Sequence, residues 1–359
     1  MKVTPITFVQ RMRPLTGNRS KSNFLSSRLL FSLVLTGVVL GCAPPTPALI
    51  DRQEAEKDPD FIAQGEYMGA MGDTVLALQL AAMGDGEFRG LLYQGGFPGT
   101  GWDSAAPLEI TAQRGDNDAV ILRGEAVQGR IDEGVVRLEW GAGTAQLEKV
   151  ERTSPSMGAA PPADAIVLFD GTNLEKWDEN TAMSDEGLLK QGARTADEYG
   201  DMFLHMEFKV GFMPTAREQR RSNSGVYIQN RYEVQILDSF AELPTRNGNG
   251  SFYRAREPQI NMTYPPIHWQ TYEISFRAPR FDDDGDKIEN ARFTVYHNGV
   301  KIHDDVELES GTGVGGRRAE VAEAMLYLQA HGSGGQARFR NIWLVEDADW
   351  RPAATAQDL

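Results

Sequence analysis

The run Gly225 to Ser239, GVYIQNRYEVQILDS, holds more polar side chains than a sandwich strand needs for packing. Side chains alternate across a strand, so Tyr232, Val234 and Ile236 share one face while Glu233 and Gln235 share the other. The neighbouring pair Ile236-Leu237 interrupts the alternation, and a β-bulge there would return Asp238 to the face of Glu233 and Gln235. Two carboxylates and an amide in one row on a sheet face can hold a sugar and move a proton. His331 is a further candidate, because it follows the apolar stretch Met325 to Leu328 and precedes the flexible Gly332-Ser333-Gly334-Gly335 run. Catalytic groups often sit at strand ends beside loops, and histidine titrates near neutral pH.

The spacing resembles the Glu-x-Asp-x-x-Glu motif of laminarinase-like glycoside hydrolases, with Gln235 in the middle position and Asp238 in the last. Retaining hydrolysis of that kind needs two carboxyls about 5 to 5.5 Å apart. A denser resemblance runs along residues 165 to 347. Leu168-Phe169-Asp170-Gly171-Thr172-Asn173-Leu174 with Trp177, Asn223-Ser224-Gly225-Val226-Tyr227, Tyr232 to Ser239, His268-Trp269-Gln270-Thr271-Tyr272, His297-Asn298-Gly299, Leu328-Gln329-Ala330-His331-Gly332 and Phe339-Arg340-Asn341-Ile342-Trp343 follow one another in order. Together they resemble the 3-keto-disaccharide hydrolase family. Ala330 stands where members often carry Asp, and the loop Gly248 to Arg256 departs from the pattern.

That resemblance implies a concanavalin-like jelly roll acting on 3-keto glycosides without a cofactor. A ketone at C3 acidifies the C2 proton, so a base can remove it, the C1 substituent can leave and water can add. The route needs a base near C2, contacts for the C3 enolate oxygen and an acid at the leaving oxygen. The implied assignments are Glu233 or His331 as base and Asp238 as acid. Gln235, Gln329 or Arg231 would contact the enolate and hydroxyls, with Asn223 and Gln229 beside them. The keto sugar would come from a separate sugar 3-oxidoreductase. A lectin-like binding module is the alternative, with Tyr227, Tyr253 and Trp269 as stacking surfaces, and an endo-glucanase acting on unoxidised polymer is a second.

The elements that must carry these residues read as β structure throughout. Leu204, Met206, Phe208 and Val210 alternate with Phe203, His205, Glu207 and Lys209, and Tyr272, Ile274 and Phe276 with polar partners. Asn298-Gly299 between apolar runs is a strong hairpin signal. The absence of a strand–helix–strand rhythm argues against a parallel α/β fold and for an all-β sandwich. Before it, residues 61–152 hold Val75 to Leu80, Phe88 to Tyr93, Ala119 to Leu122, Val135 to Trp140 and Ala145 to Val150, short runs that read as a small antiparallel β domain. Gly95 to Trp102 within it lacks a phosphate-loop ending and reads as a long turn. The Pro-rich segment 153–164 reads as a linker, and 348–359 as a tail. His205 and His303 should point outward to solvent, and His268 with Trp269 should form a sugar-stacking or core corner.

The chain begins with an address. Lys2, Arg11, Arg13, Arg19, Lys21 and Arg28 precede the uncharged apolar run Leu29 to Leu40. A stable span needs about 20 apolar residues, so 1–41 reads as a secretory signal. Val39-Leu40-Gly41-Cys42 resembles the lipobox of bacterial lipoproteins, implying cleavage before Cys42, its lipidation and a membrane anchor. Cys42 is the one cysteine of the chain, so no internal disulfide is possible. Residues 42–60 then read as a solvated tether, and an exported protein at the outer membrane or cell surface is the expectation.

Composition bounds the partners. The formal net charge of -15 argues against nucleic acid, whose affinity comes from neutralised phosphates. No metal is expected either: Asp282-Asp283-Asp284-Gly285-Asp286 lacks the register of a calcium loop and reads as an exposed hairpin turn, and no Cys/His cluster has zinc spacing.

Overall fold

The computed structural model describes residues 47–351 except 116 and 333. The leader, the lipobox with Cys42 and the end of the tail lie outside the described residues.

Eight short strands come first: β1 (Gly65–Met71), β2 (Thr74–Gly84), β3 (Glu87–Gln94), β4 (Leu108–Arg114), β5 (Val120–Arg123), β6 (Val127–Asp132), β7 (Val135–Trp140) and β8 (Gly143–Val150). Each pairs antiparallel with the next, and β1 pairs with β8 from Glu66↔Val150 to Ala70↔Gln146, so the sheet closes into a barrel. Closure leaves none of these strands with an open edge. Tyr67, Leu76, Leu78, Leu80, Leu122, Val136 and Leu147 fill the interior. Strands β1, β4 and β6 have only a weak apolar signal in the sequence, and pairing with their neighbours holds them in register. The Gly95 to Trp102 segment is a turn, as its glycines require. Gly99 has φ +78, and a Cβ there would meet Cγ2 of Val300 at 2.7 Å.

The second body is an all-β sandwich. One sheet orders β10 (Leu189–Lys190), β20 (Ala337–Val345), β11 (Met202–Val210), β14 (Gln270–Arg277), β17 (Ala291–His297) and β18 (Val300–Leu308), with β9 (Ile166–Phe169) also on β20. The facing sheet orders β13 (Tyr232–Ile236), β12 (Ser224–Ile228) and β19 (Tyr327–Leu328). Leu204, Met206 and Phe208 from the first and Val226, Ile228 and Val234 from the second share one core. That core leaves the alternate residues of each sheet facing away from it. Asn298 (φ 50) and Gly299 (φ 77) turn β17 into β18, as the Asn-Gly pair predicts. The acidic run 282–286 is the exposed turn between β15 (Arg280–Phe281) and β16 (Lys287–Glu289).

The connecting segments are anchored at a few buried residues and exposed between them. Residues 52–63 form two short helices, Arg52–Ala55 and Pro59–Ala63, capped by Asp51 and Asp58, with Ala55 and Phe61 buried. Residues 154–159 lie along the outward face of the larger sheet: Ser154 bonds Thr271 at 2.7 Å and the Gly158 amide donates to Glu207 at 2.6 Å. Barrel and sandwich form one compact unit. The Arg152 guanidinium joins them, donating to buried Glu66 and lying 4.6 Å from the Phe97 ring and 4.9 Å from that of Tyr264.

Two expectations about histidines are corrected. His205 and His303 are both about 1% exposed. The 154–159 segment covers the first, and the second packs 4.4 Å from the Phe252 ring with Nε2 on the Gly250 carbonyl at 2.8 Å.

Candidate active site

Strands β12 and β13 pair without a register shift, placing Tyr227 opposite Glu233 and Gly225 opposite Gln235 on the outward face. Tyr227 also faces Tyr327 of β19, and the Gln329 amide donates to the Gly225 carbonyl. Glu233 is 2% exposed. The Tyr227 hydroxyl donates to its Oε2 at 2.6 Å, whereas Oε1 takes no hydrogen bond from a described residue and lies where a Cβ on Gly225 would come within 2.7 Å. Burial pushes the Glu233 carboxyl up, the Tyr227 hydrogen bond offsets only part of that, and the group is left at about 7. Burial and the adjacent carboxylate push Tyr227 in turn well above the usual phenol range, so its hydroxyl stays protonated.

Hydrogen-bond polarity follows from that carboxylate. When ionised, that carboxylate only accepts, so the Tyr227 hydroxyl donates to it and the hydroxyl oxygen is open to a donor. Nε2 of Gln329 takes that place at 3.3 Å. Oε1 of Gln329 is thereby turned away, buried and without a partner among the described residues. Asn223 Oδ1 and Gln235 Oε1 are in the same condition. Three amide acceptors and a carboxylate near neutral pKa thus gather around one sheet face. Amide oxygens accept hydroxyl donors, and a carboxylate of that pKa can take up a proton.

Other expected residues stand elsewhere. Strand β13 ends at Ile236 with no bulge, and Leu237 donates its amide to Asn249 at 3.1 Å. Asp238 therefore does not rejoin the row. Its Oδ2 accepts from Nε of Arg221 at 2.8 Å, with both side chains about 1% exposed or less. Gln229 sits in the β12–β13 turn at φ 52, its amide nitrogen on the carbonyls of Tyr199 and Ala322. Arg231 is also turned to main chain, donating to the carbonyls of Ala319 and Gln229. Tyr253 is beside Glu233: its amide donates to the Glu233 carbonyl at 3.2 Å and its ring borders Gly313. Trp269 is on the opposite side of the sandwich, 4.0 Å from the Arg340 guanidinium and 5.3 Å from Lys209 Nζ, both outward residues of the larger sheet. His331 is half-buried beyond β19, and burial lowers its pKa.

Two features escaped sequence reasoning. The run Ser310 to Gly316, SGTGVGG, folds down onto Glu233: Thr312 accepts the Glu233 amide at 2.7 Å, and a Cβ on Gly313 (φ +54) would meet Oε2 at 2.8 Å. Its glycines were a visible signal of close backbone approach. Gln219, on the single turn Glu218–Arg220, accepts from both Asn223 and Gln235 at 2.9 Å. Nothing in its local sequence marks it.

The 3-keto-alpha-glucoside-1,2-lyase-like domain matches residues 164–345, half of the chain. Three solved structures from Parabacteroides distasonis, each of a protein proposed to be a glycosyl hydrolase, are similar to this chain. One is 30% identical, covering 51% of this chain and 84% of its own, with a TM-score of 0.45. The others are 22% identical over 50% and 98% and 17% identical over 51% and 94%, both with a TM-score of 0.36. No curated protein matches.

Proposed function

Because the chain belongs to the 3-keto-alpha-glucoside-1,2-lyase-like family, we propose that it cleaves 3-keto-glycosides, 3-keto-disaccharides above all, with Glu233 as the base. The observation that carries this reading is the buried Glu233 carboxylate poised at about 7, held by Tyr227 on one oxygen and open on the other. A base of that pKa is half ionised near neutrality, where proton abstraction is most efficient. Glu233 removes the C2 proton and the C–H electrons move into the C3 carbonyl as an enolate. The enolate then re-forms the ketone with a C1–C2 double bond as the C1–oxygen bond breaks. The proton on Glu233 is the one available to the departing oxygen. Water adds across the double bond, and the net result is hydrolysis. The amide oxygens of Asn223, Gln235 and Gln329 accept sugar hydroxyls.

Asp238 has no part in this scheme, because its charge is committed to Arg221. The burial of the row also fits a small keto sugar better than a polymer, whose endo-cleavage needs a long open cleft. Export, anchoring through lipidated Cys42 and supply of substrate by a separate sugar 3-oxidoreductase complete the proposal.

Incubation with a 3-keto-glucoside and its unoxidised parent, following released sugar by chromatography, tests it. Release from the keto compound alone is expected, with a loss of about 10²- to 10⁴-fold in Glu233→Gln. Equal cleavage of the parent, or a fully active Glu233→Gln, would overturn it.

A further inference from the structure

The amide oxygens of Asn223 and Gln235 are buried without a partner among the described residues, because a neighbouring side chain engages their nitrogens. The Gln219 amide nitrogen donates to the main-chain carbonyl of Asn247 at 2.8 Å. A carbonyl can only accept, so Oε1 of Gln219 must point the other way. There it accepts from Nδ2 of Asn223 and Nε2 of Gln235. Asn223 Nδ2 has a second anchor, the Gln219 carbonyl at 3.0 Å, whereas Gln235 Nε2 has no other among the described residues. Both nitrogens are committed, and both buried oxygens are left without a donor. Leaving a buried acceptor unmet costs free energy, which a ligand hydroxyl would return.

The turn that carries Gln219 is held by the barrel. Arg221 Nη2 donates to the Ala82 carbonyl at 3.1 Å and Arg217 Nη2 to that of Met83 at 2.6 Å, both on the last residues of β2. Arg221 is itself locked by Asp238. The N-terminal barrel thus supports a residue of the sandwich's site.

Resting on the keto-sugar reading above, we propose that Gln219 is a positioning residue for substrate specificity, turning the Gln235 and Asn223 amides so that the site selects hydroxyl donors at two positions of the sugar. Its role is strongest at Gln235, whose amide nitrogen has no other partner among the described residues. In Gln219→Leu the Gln235 amide can rotate and present nitrogen instead of oxygen to the sugar. In Gln219→Glu an acceptor for both nitrogens remains.

The test compares wild type, Gln219→Leu and Gln219→Glu on a 3-keto-glucoside and on analogues in which single hydroxyls are replaced by hydrogen. Binding is read by calorimetry and turnover separately. KM and Kd should rise about tenfold in Gln219→Leu, the worth of one hydrogen bond, with a smaller change in kcat. Gln219→Glu should recover most of the loss. The Gln219→Leu penalty should vanish on the analogue lacking the hydroxyl that Gln235 accepts, which a merely structural role would not produce. No penalty, or the same penalty on every analogue, overturns the inference. Wild type that turns over no keto sugar overturns the reading of function instead; the same binding comparison on the unoxidised glucoside series then decides the role of Gln219, and binding to none of that series overturns it.

Discussion

Glu233 and Glu207 are buried carboxylates on the outward faces of opposite sheets, 2% and 1% exposed, and their surroundings treat them in opposite ways. Glu207 Oε1 accepts from the Gly158 amide at 2.6 Å and Asn341 at 2.9 Å, and Oε2 from Arg340 at 2.6 Å. Burial pushes its carboxyl up, but those donors outweigh it and hold the group below the usual range. Nearby Glu273 accepts from Ser156 at 2.5 Å and His205 at 3.1 Å, and the His205 ring stacks 4.9 Å from Trp343. Glu233 has one side-chain donor among the described residues and settles at about 7. Burial is common to both faces; the number of donors supplied separates a carboxylate that fastens a segment from one that can exchange a proton.

The largest effect expected of breaking this contrast lies at the buried Asp238 carboxylate. Arg221→Met leaves Asp238 buried without its cation and should cost about 3–5 kcal/mol in thermal or denaturant unfolding. Were Asp238 the catalytic acid, Asp238→Asn would instead abolish turnover in a protein of unchanged stability. Next comes Glu207→Gln, which should cost about 2 kcal/mol, tempered because the Arg340 side chain is 40% exposed, and leave kcat untouched. Glu233→Gln should do the reverse. A Glu207→Gln variant that lost turnover at full stability would erase the distinction between the faces.

The smallest effect is in pH dependence, and its sign differs between the two. Glu233 binds its proton more tightly folded than unfolded, so the stability it adds is full below its ordinary value of 4.5 and is lost as pH rises through about 7. Glu207 contributes above its ordinary value and loses that contribution as pH falls through its lowered pKa. Between pH 5 and 7, wild type should therefore lose stability relative to Glu233→Gln, while turnover, which needs ionised Glu233, rises. A flat difference in Tm across that window would mean that Glu233 titrates normally.

Much of the candidate site was legible from alternation. Glu233 and Gln235 share a face in the sequence pattern and in the sheet, and Asn298-Gly299 turns where its backbone preference says it must. Where the strand stopped was not legible. A bulge at Ile236-Leu237 would put Asp238 on the row, but the chain leaves the strand at Ile236 and Asp238 meets Arg221. Nor does any local pattern show that Asn341 meets His205 and that the Arg340 guanidinium lies over Trp269, since both come from far away in the chain. Closure of the barrel between Glu66 and Val150 is equally nonlocal.

Strand alternation, turn chemistry and ordered motifs are local properties, written into neighbouring residues, and they suffice for an all-β chain and for the face on which Glu233 lies. Protonation and hydrogen-bond polarity are not local. Glu207, Glu233 and Asp238 are interchangeable acids until the folded chain brings Arg340 and Asn341 to the first, Tyr227 to the second and Arg221 to the third. A carboxylate's pKa is set by solvent lost and donors gained, and both are decided by contacts that exist only after the chain has packed.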